Sequence, residues 1–284
     1  MIENAEYLNI NGKLLIANKA CISPDNRSFR YGDGCFETMR VNNGTINLAP
    51  FHFDRLFGSL QKLRFNIPRL FTRERISKQV SELTAKNNHP LARVRLTMFR
   101  GDGGLFDPVD HSVNYLIQSW PLTSTIGQFN TNGLITNIFD QAVKAADQFS
   151  MIKSNSFLPY VMAAIQAKED RVNDSLLLNA FGNIADATIA NVFVFKGDTL
   201  LTPPLSDGPV NGVMRRFLIE NGPAIGIAIQ EASVHPADLH TASEVFLTNA
   251  ISGIRWVSRH NDTFYQNGRT HQLYNRLVAP LFFG

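Results

Sequence analysis

The sequence predicts a two-domain protein: an α+β domain over residues 1–120, a linker at 121–128, and a second domain of mixed α/β type over 129–284. Three observations predict it. The chain has 284 residues, a length that suits two medium domains. Strand signals with period 2 alternate with helical signals from the first residues onward. The stretch 121–128, rich in Thr, Ser and Gly, interrupts the pattern near the middle.

The opening reads as a hairpin, with apolar-rich runs at 7–10 and 13–16 flanking Asn11-Gly12, the pair that favours a type I′ turn. A second strand pair is expected at 35–41 and 45–48, around Asn42-Asn43-Gly44. Pro50 marks a helix start. Phe53, Leu56, Phe57 and Leu60 then fall on one helical face. A second helix is predicted over 72–86, and strands over 93–99 and 113–118. Past the linker come a strand at 134–139 and a helix at 157–168, with Leu158, Val161 and Ile165 as its buried stripe. Strands follow at 175–178, 191–195 and 199–201. A helix starts near Asn211, and a short buried strand at 244–247 precedes Thr248-Asn249-Ala250.

Composition narrows the function. Hydrophobic residues make up 44% and charged residues 18%, an ordinary globular balance. A chain of this length builds a core without metals or disulfides. Its two cysteines, Cys21 and Cys35, form no CxxC, and no metal site is expected. The net charge of +3, without a long basic run, argues against nucleic acid as the main partner. No apolar run approaches the ~20 residues that span a bilayer. The N-terminal MIENAEYLNINGKLL lacks the basic-then-apolar order of a signal peptide, so a cytoplasmic, reducing location is expected. The 21 phenylalanines read as core.

Five segments carry chemistry. Phe29-Arg30-Tyr31-Gly32-Asp33-Gly34-Cys35-Phe36-Glu37-Thr38 reads as a glycine turn into a strand, and is neither a dinucleotide fingerprint nor a Walker loop. In His52-Phe53-Asp54-Arg55-Leu56, Arg55 lies off the apolar face; it is a solvated surface residue or an anion clamp. In Met151-Ile152-Lys153-Ser154-Asn155, Lys153 sits at a strand-to-helix passage. Such a lysine is commonly a surface residue, yet a nucleophilic amine belongs at such a place too. Asp186, in Gly182-Asn183-Ile184-Ala185-Asp186-Ala187, is a turn residue or a carboxylate that needs a cation. Gly208-Pro209-Val210-Asn211-Gly212-Val213-Met214-Arg215 leads into a helix whose free N–H groups suit an anion.

Together and in this order the segments resemble the class IV aminotransferase family, the fold type IV pyridoxal phosphate enzymes, from about residue 5 to residue 256. The resemblance implies pyridoxal 5′-phosphate as cofactor, with Lys153 as the Schiff-base lysine and proton shuttle. It implies that Arg55 holds the phosphate with the backbone N–H groups of Gly212, Val213 and Met214, and that Thr248 and Asn249 lie on the phosphate side. Asp186 matches the acid that pairs with the pyridine nitrogen. The family usually has Glu there, one methylene (~1.5 Å) longer. Tyr31, Phe36, Arg95 and Arg100 are the candidate substrate residues. A homodimer is implied, with both subunits contributing to the site.

Within the family, Val210-Asn211-Gly212-Val213-Met214-Arg215, Leu247-Thr248-Asn249-Ala250 and Gly32-Asp33-Gly34-Cys35-Phe36 are similar to the 4-amino-4-deoxychorismate lyase forms. Against this, Arg100-Gly101-Asp102-Gly103-Gly104-Leu105 lacks one cation of the corresponding lyase segment. An amino-acid aminotransferase, branched-chain or D-amino acid, using 2-oxoglutarate is the alternative. A non-catalytic binding module on the same fold is a third.

Overall fold

The structure, a computed structural model, describes residues 7–284; the first six residues, with the start of the signal-peptide reading and of the family resemblance, lie outside the described residues. The described residues divide into two compact units, residues 7–126 with 152–156, and residues 127–151 with 157–284.

The first unit holds a six-stranded sheet of order β2-β1-β6-β5-β3-β4. Its strands are β1 (Tyr7–Ile10), β2 (Lys13–Ile16), β3 (Gly34–Asn42), β4 (Thr45–Ile46), β5 (Leu91–Phe99) and β6 (Asn114–Pro121). Asn11 and Gly12 both take positive φ, as the expected hairpin turn requires. A short helix, α1 (Arg27–Tyr31), precedes β3. Helices α2 (Ala49–Lys62) and α3 (Arg73–Lys86) bury Leu56, Leu60, Ile76, Val80 and Leu83. Pro50 lies in the first turn of α2, and the Thr72 side chain caps α3 by accepting from Arg75 N–H. Truncating a fully buried leucine such as Leu60 to Ala costs about 2–5 kcal/mol.

The β3–β5 register assigns the two faces of this sheet. Phe36 pairs with Thr97, Thr38 with Arg95 and Arg40 with Arg93, so these share one face. Glu37 and Met39, paired with Leu96 and Val94, share the other, and on β5 that second face is fully buried. The motif around Gly32 departs from a plain turn into a strand. Helix α1 forms there because Asn26 caps the N–H groups of Ser28 and Phe29. Gly32 then ends α1 in the left-handed region.

The second unit holds a nine-stranded sheet of order β12-β11-β10-β13-β14-β7-β8-β9, with β15 on β14. Its strands are β7 (Leu134–Lys144), β8 (Asp174–Asn179), β9 (Ile184–Ala187), β10 (Asn191–Lys196), β11 (Thr199–Thr202), β12 (Ile229–Glu231), β13 (Glu244–Asn249), β14 (Gly253–His260) and β15 (Thr263–Phe264). Helix α4 (Leu158–Glu169) follows Lys153 in the chain, and α5 (Val213–Asn221) follows the Gly208–Gly212 loop.

The expected stripe of α4 is corrected. Leu158, Val161 and Ile165 are exposed, whereas Tyr160, Ala163 and Ala167 are buried. The inward face is built of small residues and one tyrosine, which lets α4 lie close on β7 and β8.

Candidate active site

The first unit contributes Lys153, Arg55 and the proposed substrate residues. Residues 152–156 are stitched to the edge of the β3 turn: Phe36 N–H donates to the Lys153 carbonyl at 2.9 Å, and Asn155 N–H donates to the Gly34 carbonyl at 3.0 Å. Only glycine fits at position 34, since a Cβ there would overlap the Met98 carbonyl. These bonds fix the backbone that carries Lys153. The Lys153 ammonium lies 4.5 Å from the centre of the Phe36 ring, and the Arg95 guanidinium 3.6 Å from the same ring. Burial, with Arg93 beside it, lowers the Arg95 pKa to about 10, still charged at neutral pH.

Behind Phe36, on the helix-covered face, Glu37 meets α2. Arg55 donates from Nε to Oε1 at 2.8 Å and from Nη2 to Oε2 at 2.5 Å, and His52 Nδ1 stands 2.6 Å from Oε2. Burial alone would raise the Glu37 pKa; Arg55 and His52 override it and hold it at about 2. Burial pushes the His52 pKa down, so a neutral ring donates from Nδ1 to the carboxylate. Arg55, expected at the phosphate, is therefore fixed by a two-point ion pair.

The remaining two predicted residues have other surroundings. Arg100 is buried, with Nε on Asp33 and its other nitrogens directed at the Leu63 and Arg64 carbonyls. Its donors tie the loop after β5 to the chain before α3, so it is not retained as a substrate residue. Tyr31 closes α1, half-exposed, with the guanidinium groups of Arg27 and Arg30 over its ring at 5.1 and 5.2 Å.

The second unit brings together Asp186, Gly212, Val213, Met214 and Thr248. Asp186 is buried on β9, where its Oδ2 accepts from the Tyr160 hydroxyl at 3.0 Å and from Val210 N–H at 2.9 Å. The Asn191 side chain donates to the Val210 carbonyl at 2.8 Å and so braces the loop into α5. Gly212 is the N-cap of α5 and supplies no side-chain cap, leaving the N–H groups of the first turn for another acceptor. A Cβ on Gly212 would overlap Asn191 Oδ1. Thr248 pairs with Asn191 across β10 and β13, and its hydroxyl is buried with no hydrogen-bond partner among the described residues. The Asn249 side chain serves the backbone instead. Its Oδ1 accepts from the N–H groups of Ile251 and Ser252 and closes the turn after β13.

These features fit pyridoxal phosphate. An uncapped helix start, a glycine held at side-chain contact distance and a buried hydroxyl lacking an acceptor suit a phosphate. A buried carboxylate already aligned by two donors suits a protonated ring nitrogen. No metal cluster of His, Cys, Asp and Glu occurs among the described residues.

Glu37, His52, Tyr160 and Asn191 belong to these groups and were not anticipated from the sequence. Glu37 had a usable signal: strand alternation from Phe36 places it on the opposite face, toward the His52 and Arg55 turn of α2. Tyr160 had none, because its partner is set by where β9 falls in the sheet.

The amino-transferase class IV family model matches residues 34–260. A Methanocaldococcus jannaschii protein provisionally named a branched-chain-amino-acid aminotransferase is 30% identical over 86% of this chain and 84% of its own. The aminodeoxychorismate lyase of Bacillus subtilis is 28% identical over 85% of this chain and 82% of its own. Among solved structures, the branched-chain aminotransferase of Thermoproteus uzoniensis superposes with a TM-score of 0.88 at 22% identity, over 97% of this chain and 94% of that one, which establishes the shared fold. The chain therefore belongs to the class IV aminotransferase family and is a pyridoxal phosphate-dependent enzyme of fold type IV.

Proposed function

We propose that this enzyme is a 4-amino-4-deoxychorismate lyase, which expels pyruvate and leaves p-aminobenzoate. The observation that carries the reading is the pair of lyase-like segments that build the α5 start and the end of β13, Val210–Arg215 and Leu247–Ala250. The similarity to the Bacillus subtilis lyase supports it.

In this reading Lys153 would hold the cofactor, and its Nζ, when free, would take a proton from the cyclohexadiene ring. Arg55 and the first-turn N–H groups of α5 hold the phosphate, with the Thr248 hydroxyl. Asn249 stays in the proposed phosphate-side set only through its turn. Asp186 keeps the pyridine nitrogen protonated. When bound, pyridoxal phosphate supplies an electron sink for the charge that proton removal creates. Arg95 binds a substrate carboxylate beside Phe36, and Tyr31 shapes the same end. Aromatisation then drives pyruvate loss.

The second reading, an amino-acid aminotransferase using 2-oxoglutarate, is favoured by the 30% identity to the Methanocaldococcus jannaschii protein. The same residues would serve it, with Lys153 holding and moving the proton through Nζ. Supplying aminodeoxychorismate and assaying p-aminobenzoate, beside a panel of amino acids with 2-oxoglutarate, separates the two. Release of p-aminobenzoate supports the lyase; turnover confined to the panel refutes it.

A homodimer and a cytoplasmic location belong to the proposal. Sedimentation at working concentration tests the first, and a monomer would refute it. Among the described residues no helix is long and apolar enough to cross a membrane.

A further inference from the structure

We propose that Tyr160 is a positioning residue for Asp186, a hydroxyl brace that sets the carboxylate toward the cofactor ring where a one-methylene-longer side chain would reach by itself. The inference rests on the reading of Asp186 as the partner of the ring nitrogen.

The geometry is specific. Asp186 has a short side chain on a strand whose four residues are all buried, so it has little freedom to approach a ligand by moving its backbone. Two donors converge on one of its oxygens: the Tyr160 hydroxyl at 3.0 Å and the Val210 amide at 2.9 Å. Two donors on one oxygen fix the rotation of the carboxylate, and with it the direction of the other oxygen. The Val210 donor is backbone and comes with the fold. The Tyr160 donor depends on one side chain.

Tyr160 itself is held. It is buried in the first turn of α4, its ring stacked on Phe157 at 4.2 Å and 22°. The Lys144 ammonium lies 5.6 Å from the ring centre and is tied in place by the Gly208 and Ser150 carbonyls at 2.8 and 3.0 Å. Burial, together with the Asp186 charge, drives the Tyr160 pKa upward, so the hydroxyl remains a donor. Lys144 also attracts the Asp186 carboxylate electrostatically. Tyr160 thus aims the carboxylate while Lys144 favours its charge. Tyr160 follows Lys153 by seven residues, so the segment that carries the lysine also carries the brace for the acid.

The test uses the full-length holoprotein and its apo form in four versions: wild type, Tyr160→Phe, Asp186→Asn and Phe157→Ala. The readouts are the absorbance spectrum of the bound cofactor, the dissociation constant of pyridoxal phosphate from the apoprotein, and kcat and KM separately. Asp186→Asn is expected to change the spectrum. Tyr160→Phe, which keeps the ring and its stacking, is expected to change it in the same direction, to weaken cofactor binding about tenfold and to lower kcat more than KM. Phe157→Ala removes the stacking partner but keeps the hydroxyl and its Asp186 bond, and is expected to change the spectrum clearly less than Tyr160→Phe. A wild-type spectrum and affinity in Tyr160→Phe beside a changed Asp186→Asn would overturn the brace and leave the Asp186 reading intact. A spectral change in Phe157→Ala equal to that in Tyr160→Phe would also overturn it, since packing would then be the cause. A wild-type spectrum in Asp186→Asn would remove the reading on which the proposal rests.

Discussion

Arg55 grips Glu37 at two points, Nε to Oε1 at 2.8 Å and Nη2 to Oε2 at 2.5 Å, with both side chains buried. The fork geometry fixes the guanidinium as a preorganised cation. Glu37→Gln keeps the shape but leaves Arg55 buried without its counter-charge, and is expected to cost about 3–5 kcal/mol of stability in urea melts at neutral pH. The folded-state pKa of Glu37, about 2, lies below its ordinary 4.5. Its stabilising contribution is therefore complete above about pH 4.5 and is lost as the pH falls through 2. Stability measured across that window is expected to fall less steeply in Glu37→Gln than in wild type.

Gly212 has φ −65° and ψ 135°, a conformation open to any residue, so its cost on substitution comes from contact alone. Gly212→Ala drives a methyl group into Asn191 Oδ1. The expected loss is about 1–3 kcal/mol in thermal melts, with weaker cofactor binding. Adding Asn191→Ala is expected to restore part of the affinity.

Thr248 gives opposite signs in the two states. Its hydroxyl is buried without a hydrogen-bond partner among the described residues, which costs about 1–3 kcal/mol relative to a satisfied group. Thr248→Val is expected to leave the apoprotein as stable as wild type or more so, and to weaken pyridoxal phosphate binding. Calorimetry of the apo form and a cofactor titration check the two halves separately.

Arg95 tests the substrate end. Arg95→Gln is expected to raise KM about tenfold or more by removing a charge-assisted bond to a carboxylate, while the bound-cofactor spectrum stays as in wild type. An unchanged KM would place the carboxylate elsewhere.

Much of this was legible in the sequence, and the exceptions have physical reasons. The hairpin around Asn11-Gly12, the start of α2 at Pro50 and the helical face of Phe53, Leu56, Phe57 and Leu60 follow from local rules of turn, cap and period, with Phe57 half-buried against Phe71 and the other three in the core. Helix α4 misled because the rule favours large apolar residues. The structure buries Tyr160, Ala163 and Ala167 instead: close packing on β7 and β8 selects the two alanines, and Tyr160 turns inward with its hydroxyl on Asp186. Lys153, Arg55 and the α5 start stand out in the sequence as candidates because each sits in a contiguous motif. The partners of those residues do not. Glu37 reaches Arg55 across 18 positions, Tyr160 reaches Asp186 across 26, and Arg100 reaches Asp33 across 67. Such pairs are decided by sheet register and helix docking, which no local pattern encodes.

Absorbance of the purified protein, with and without Lys153→Ala, tests the central claim that Lys153 anchors pyridoxal phosphate. A visible or near-ultraviolet band beyond the protein's own absorbance is expected in the wild type and is expected to be abolished in Lys153→Ala. A colourless wild-type protein that leaves the spectrum of added pyridoxal phosphate unchanged, or a band that survives in Lys153→Ala, would contradict it.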